Sequence, residues 1–192
     1  MNNQTFIQLP TDFGKFNIEL LLNPNDANNP HVVLTSIVNK TMNIPLVRIH
    51  SECLTGDLFS SLRCDCGDQL KLSLKMIGKN GGILFYLRQE GRGIGIEDKL
   101  KAYALQDKGA DTVSANLALG HQADLREYSS VVKYLNSANL NQIKLITNNP
   151  TKLEYLENNG ITIVERIPIV IEPNEHNKSY IMTKKNKMGH LY

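Results

Sequence analysis

The chain has 192 residues, 41% of them hydrophobic and 21% charged, with a formal net charge of +2. It is long enough to bury a sizeable core, and its weak charge gives no case for a nucleic-acid footprint. No apolar run approaches the length of a membrane span, and Met1–Thr11 lacks the basic-then-apolar pattern of a secretion signal, so the expectation is a cytoplasmic protein with no membrane contact. In chain order, Phe16–Leu22, Val32–Val38 and Pro45–Glu52 read as strands, the first two separated by the Asn/Pro-rich loop 23–30. Asp68–Gly78 fits both periods, and its Gln, Leu, Lys and Met content favours a helix stopped by glycine. Ile83–Arg88 is a buried strand, Glu97–Lys108 a helix closed by Gly109, and Tyr128–Leu135 a further helix. Gln142–Thr147 is a strand, followed by Asn149 as N-cap and Pro150 at the first helical position of a helix that reaches Asn159-Gly160. Ile161–Ile171 reads as a long β-branched strand, and 177–192 as a basic, helical tail. The alternation of strand and helix through the middle predicts an α/β domain, with α+β as the alternative. Its form would be a mixed sheet flanked by helices, the N-terminal strands making an antiparallel layer of their own, in a single domain over 1–192.

The three cysteines cannot all pair with one another, and a reducing compartment disfavours disulfides, so metal binding or thiol chemistry is the sharper question. Cys53 is followed eleven residues later by Cys64-Asp-Cys66, and Gly67 suits a turn that would let the sulfurs converge. Three thiolates on a tetrahedral zinc leave one position for water, the pattern of a catalytic site. The alternatives are scattered buried thiols, or a closed structural zinc with His50 as fourth ligand; on a strand, however, the spacing from His50 to Cys53 points them to opposite faces.

Two turns at strand ends could hold an anion. Arg88-Gln-Glu-Gly-Arg-Gly-Ile-Gly95 joins a strand to a helix, with glycines that free backbone N–H groups and two guanidinium groups; it is neither a dinucleotide fingerprint nor a P-loop, and a plain glycine-rich turn is its ordinary reading. Thr147-Asn-Asn-Pro-Thr-Lys152 also enters a helix N-terminus; alone it reads as a capped helix with a solvated lysine. Together, at the carboxyl edge of an open sheet, they suit a phosphorylated ligand. By spacing alone Asp124 and Arg126 read as a surface ion pair, and Tyr103, on one face with Ile96 and Leu100, as a core tyrosine.

Arg48-Ile-His-Ser-Glu-Cys-Leu-Thr-Gly-Asp57, Arg63-Cys-Asp-Cys-Gly67, Arg88–Gly95, Ala102–Asp107, Gly109–Thr112, Thr147–Pro150 and Lys187–Leu191 resemble the GTP cyclohydrolase II family, as does the opening Leu9–Phe16. The resemblance covers nearly the whole chain. It implies hydrolysis of GTP at the start of riboflavin synthesis, with C8 of guanine lost as formate, pyrophosphate released, and a 2,5-diamino-6-ribosylamino-pyrimidinone 5′-phosphate formed. By resemblance, Cys53, Cys64 and Cys66 hold one zinc per chain. Arg48, Ile49, His50, Ser51, Glu52, Gln69, Glu90, Gly91, Arg92, Thr112, Thr147 and Lys152 bind the nucleotide. Tyr103 stands near the zinc water, Asp124 accepts a proton, and Arg126 is the proposed nucleophile at the α-phosphate. Magnesium on the phosphates and a homodimer are implied too, and either Glu90 or Glu52 suits the donor edge of guanine. The chain departs from the family at Asp98, where Asn is usual, and at His121, where Phe is usual. A sibling enzyme stopping at the formamide, and a zinc-stabilised binding module without turnover, are the competing readings.

Overall fold

The computed structural model describes residues 7–38, 43–122 and 124–191. Seven strands form one sheet: β1 (Ile7–Thr11), β2 (Gly14–Leu21), β3 (His31–Ser36), β4 (Leu46–Ser51), β5 (Ile83–Leu87), β6 (Gln142–Ile146) and β7 (Thr162–Ile167), in the spatial order β1-β2-β3-β5-β4-β6-β7. The pairs β1–β2, β2–β3 and β3–β5 are antiparallel, while β5–β4, β4–β6 and β6–β7 are parallel. The fold is therefore α/β with a mixed sheet. The N-terminal strands are antiparallel as expected, but they extend the parallel half edge-on and make no layer of their own, because β3 registers directly with β5 from Val32↔Tyr86 to Thr35↔Ile83.

The helices are α1 (Leu54–Asp57), α2 (Cys66–Asn80), α3 (Gly95–Gln106), α4 (Thr112–Ala118), α5 (Ser129–Ser137), α6 (Pro150–Asn158) and α7 (Lys178–Met188). Strand alternation sorts their partners. Val47, Ile49, Ile83, Phe85, Ile143 and Leu145 point to one face and pack with Val131, Leu135 and Leu156 of α5 and α6. Leu46, Leu84 and Ile146 point to the other, with Ile77 and the leucines of α2. Burial of these side chains, worth roughly 1.5–3 kcal/mol each, fixes the register, since a one-residue slip would turn every one to the wrong face. On β4 that alternation has a chemical consequence: Arg48 and His50 share the face of Leu46, toward α1 and α2, and both are buried.

Two expected boundaries move. The last strand stops at Ile167, not Ile171, because Pro168 has no N–H to give the ladder. Chain direction is then held by Asn148, which bonds both the N–H and the carbonyl of Ile169. Gly67 does not make a turn; it lies in the first turn of α2 without positive φ, and its value is close approach, since a Cβ there would stand 2.3 Å from the Gly56 carbonyl oxygen.

Candidate active site

Parallel strands β4, β5 and β6 end on the same edge of the sheet, and the segments leaving them build one cleft enclosing about 1080 Å³ of space, part of it open to solvent. From β4 come Ser51, Glu52 and Cys53; from β5 the loop through Glu90, Gly91 and Arg92; from β6 Thr147, Asn148 and Asn149. This is where open α/β sheets take ligands.

At one wall the Sγ atoms of Cys53, Cys64 and Cys66 lie within 4.8 Å of one another, and they form the one group of metal-ligating type among the described residues. Cys53 sits at the start of α1 and Cys66 at the start of α2, so the touching of these helices at Gly56 and Gly67 brings the thiols together. Gly56 lies against the cluster: a Cβ there would be 2.8 Å from Cys64 Sγ and 3.2 Å from Cys53 Sγ. Hydrogen bonds from Cys64 and Cys66 pull the Cys53 thiol far below the ordinary thiol range despite burial, and Lys99 adds to the effect. The same sharing with Cys53 pushes Cys64 up to about 11 and Cys66 well above the ordinary value. Three sulfurs gathered within 4.8 Å suit a cation, and three thiolates suit zinc with a fourth position left over. His50 does not join the set. Its Nε2 is engaged by both oxygens of Asp57 at 3.1 Å, and Asp57 also accepts from the Cys53 N–H and the Tyr86 hydroxyl.

Behind Cys53 stands a pair that spacing did not reveal. Lys99 Nζ donates to Cys53 Sγ at 3.2 Å and to Glu90 Oε1 at 2.7 Å. Burial opposes its charge, yet the Cys53 thiolate and the Glu90 hydrogen bond hold the ammonium above the usual lysine range. Glu90 also accepts from the N–H groups of Leu54 and Gly91. With both oxygens so engaged it is a brace between loop, α1 and α3, which leaves Glu52, bound to Arg88 through Oε1 alone, as the better candidate of the two for reading a base edge.

The cleft is also lined by cations. Arg48 donates to the Ile146 carbonyl at 3.1 Å and to Gln69 Oε1 at 2.7 Å; burial lowers its pKa to about 10. Lys152 donates to the Ile49 carbonyl at 2.8 Å, and burial, then the charges of Arg126 and Arg48, pull it well below the ordinary lysine value. The Ile49 side chain lies in the core beneath, so only its backbone reaches this network. Arg48 Nε and Arg92 NH1 are buried without a hydrogen-bond partner, and Arg92 holds a φ of +65° in the loop that presents it. Crowded cations with unmet donors form a site for a polyanion.

Arg126 lines the cleft and is forked onto Asp124: Nε meets both carboxylate oxygens, NH2 donates to Oδ2, and the Arg126 N–H to Oδ1. Burial opposes the Arg126 charge, but Tyr128 and the Asp124 bonds outweigh it and keep the guanidinium protonated. Asp124 lies behind Arg126 and not in the cleft lining. Tyr103 is no core tyrosine: its hydroxyl meets Thr55 Oγ1 at 3.3 Å, Thr55 stands 3.7 Å from Cys53 Sγ, and the ring lines the cleft below the Arg63 guanidinium. His50, Ser51, Gln69, Gly91, Thr112 and Thr147 line the same space. Thr112 begins α4, which the sequence reading left without a helix although Asp111 and Ser114 form a capping box. Spacing missed Lys99, Asn116, Tyr180, Lys184 and His190, which also line it. The two departures, Asp98 and His121, meet each other at 2.7 Å, so they act as one exchanged pair linking α3 to the segment before Asp124.

The family model described as GTP cyclohydrolase II matches residues 3–168. The chain is 51% identical over 187 residues to the GTP cyclohydrolase-2 of Picrophilus torridus, covering 96% of each. It is 50% identical to that of Acinetobacter baylyi, covering 96% of this chain and 93% of the relative. To the riboflavin biosynthesis protein RibBA of Bacillus velezensis it is 49% identical over its whole length, but spans only 48% of that relative. With a family model over most of its length, and with relatives half identical to it from end to end, this chain belongs to the GTP cyclohydrolase II family.

Proposed function

We propose that the chain is a zinc-dependent GTP cyclohydrolase II. It opens the imidazole ring of guanine, releases formate and pyrophosphate, and forms the diaminopyrimidinone ribosyl 5′-phosphate that begins riboflavin synthesis. The observation that carries this reading is the shared cleft: a three-thiol cluster and a set of buried cations border the same space. A ligand that needs both has a hydrolysable ring at one end and several phosphates at the other.

Cys53, Cys64 and Cys66 would hold one zinc, which supplies a polarised water and Lewis acidity when bound. Around it, Lys99 steadies the Cys53 thiolate, and the Tyr103 hydroxyl, set by Thr55, is a protic group in the cleft lining for a proton moved at the ring. Arg48, Arg92, Arg126 and Lys152 bind and orient the phosphates, with magnesium on the substrate as part of the same reading. Burial and then its cationic neighbours disfavour the charge on Lys152, and a bound anion would offset both, which favours anion binding there. The fork from Asp124 favours an electrostatic role for Arg126 on the α-phosphate over attack by nitrogen, because a protonated guanidinium has no lone pair to offer. One catalytic domain over 1–192, supported by the single sheet, and a homodimer complete the proposal. As for location, no helix among the described residues is long and apolar enough to cross a membrane.

Incubation with GTP, with formate and pyrophosphate measured together, tests the reading. Both products in equal amount are expected. Pyrophosphate without formate, or a formamide product that keeps C8, would replace it with the sibling activity; binding without either product would leave a binding module.

A further inference from the structure

The family match ends at residue 168, yet part of the cleft is built by residues beyond it. Tyr180 and Lys184 of α7, and His190 just after it, also line the cleft. α7 carries almost no amphipathic pattern: Lys184 is buried alongside Ile181, while its neighbours Lys185 and Lys187 are exposed. A buried lysine among exposed ones marks a face chosen for charge.

Three contacts tie this segment to the rest of the cleft. Lys184 Nζ donates to Asp65 Oδ1 at 2.6 Å, and Asp65 lies between two of the clustered cysteines. Asp65 in turn accepts from Gln69, which accepts from Arg48, so α7 joins the thiol loop and the cation basin through one chain of hydrogen bonds. Lys187 reaches Asp111, the N-cap of α4 next to Thr112. The Leu191 N–H donates to the Asn148 carbonyl at 2.8 Å, on the loop that leaves β6. Three cleft-forming segments are thus tied to one short helix.

We propose that 178–191 is the closing wall of the substrate cleft, and that Lys184 is a positioning residue for the phosphates of the nucleotide. The assignment rests on the GTP reading above. The Asp65 bond sets where the ammonium sits, and Arg92, Arg126 and Lys152 surround the same space. Burial, then the charges of Lys184, Arg126, Lys152 and Arg92, lower His190 to about 3, which places its ring in the same field. The buried Lys184–Asp65 pair is the tie that must part for the segment to lift, while the exposed Lys187 pair adds little, and a bound polyanion would hold the segment closed.

Limited trypsin digestion of the full zinc-loaded protein, read by mass, follows cleavage at Lys185 and Lys187. A GTP analogue with methylene in place of the α–β bridging oxygen, and inorganic tripolyphosphate separately, should each slow that cleavage several-fold. Lys184→Gln keeps a donor for Asp65 but loses the charge. It should raise KM for GTP about tenfold or more, with zinc content kept and kcat changed far less, and Lys184→Arg should restore most of the loss. If the wild type produces formate from GTP while neither ligand slows cleavage, or Lys184→Gln keeps its KM, the closing wall is wrong and the GTP reading stands. If tripolyphosphate protects but no formate appears from the wild type, the GTP reading fails and the anion-closed wall remains.

Discussion

At the scale of the residue, the site depends on close approach as much as on chemistry. Gly56 carries no functional group, yet a methyl group there would meet all three cysteines. Gly56→Ala is expected to force the sulfurs apart and weaken metal affinity about 10- to 100-fold, the range seen when a supporting shell is disturbed. Metal content after dialysis against a graded chelator checks this; unchanged retention would show that the cluster gives way without cost. Lys99 is the second such residue. Lys99→Met would leave the Glu90 carboxylate buried without its ammonium, at a cost of about 3 kcal/mol or more, measurable as a fall in denaturant midpoint. Neither residue was legible. The cysteines stand out by clustering within fourteen positions, and the turns 88–95 and 147–152 only when taken together, whereas Gly56 and Lys99 acquire their places only when α1, α2 and α3 converge. Tyr103 shows the limit of periodicity: its helical face reads as core by spacing, the family resemblance sets it near the metal, and its contacts with Thr55 and Arg63 lie in the cleft lining.

Elements were read well where their periods are strong. The strands β2 to β6 and the helices α2, α5 and α6 fall where periodicity and caps put them, within a few residues, because one face of each is buried against a core; α3 falls where its helix formers and the closing Gly109 put it, with Ile96 and Leu100 exposed. β1 went unread because it is an edge strand, exposed from Ile7 to Pro10 and interrupted by proline, so no buried face imposes a pattern. α4 is short, and its polar face left only the Asp111 cap as a signal. The loop between β5 and α3 is the element where local structure and function conflict most openly. Arg92 sits at positive φ between Gly91 and Gly93, a conformation that costs an ordinary side chain roughly 1–2 kcal/mol. Arg92→Gly would remove that strain but add the entropy cost of another glycine, so the two effects nearly cancel and stability should change by less than about 1 kcal/mol. Activity should not be spared: kcat/KM for GTP is expected to fall at least about tenfold with the lost charge. Full activity in the glycine variant would show that the strain serves no ligand.

For the whole molecule, the sheet edge sets both the cleft and its pH response. Burial holds His31, His50 and His190 below the ordinary histidine value of 6.5, His190 at about 3. In the unfolded chain these rings take up protons near that ordinary value, while in the fold they do not. The unfolded state therefore binds more protons below it, and stability falls with pH. The fold should keep its full stability above about pH 6.5 and lose it progressively as pH drops toward 3, which thermal melts across that window will show. A melting temperature flat from pH 7 to pH 4 would contradict the burial of these rings. The central claim, that three thiols on one wall make this a zinc-dependent hydrolase of GTP, is tested most directly by titrating zinc into chelator-stripped, refolding-competent protein while formate release from GTP is followed. Formate release is predicted to be absent at the start, to rise in proportion to added zinc, and to level off near one equivalent per chain. Full formate release from the stripped protein, or a rise that takes no notice of that equivalence, would contradict it.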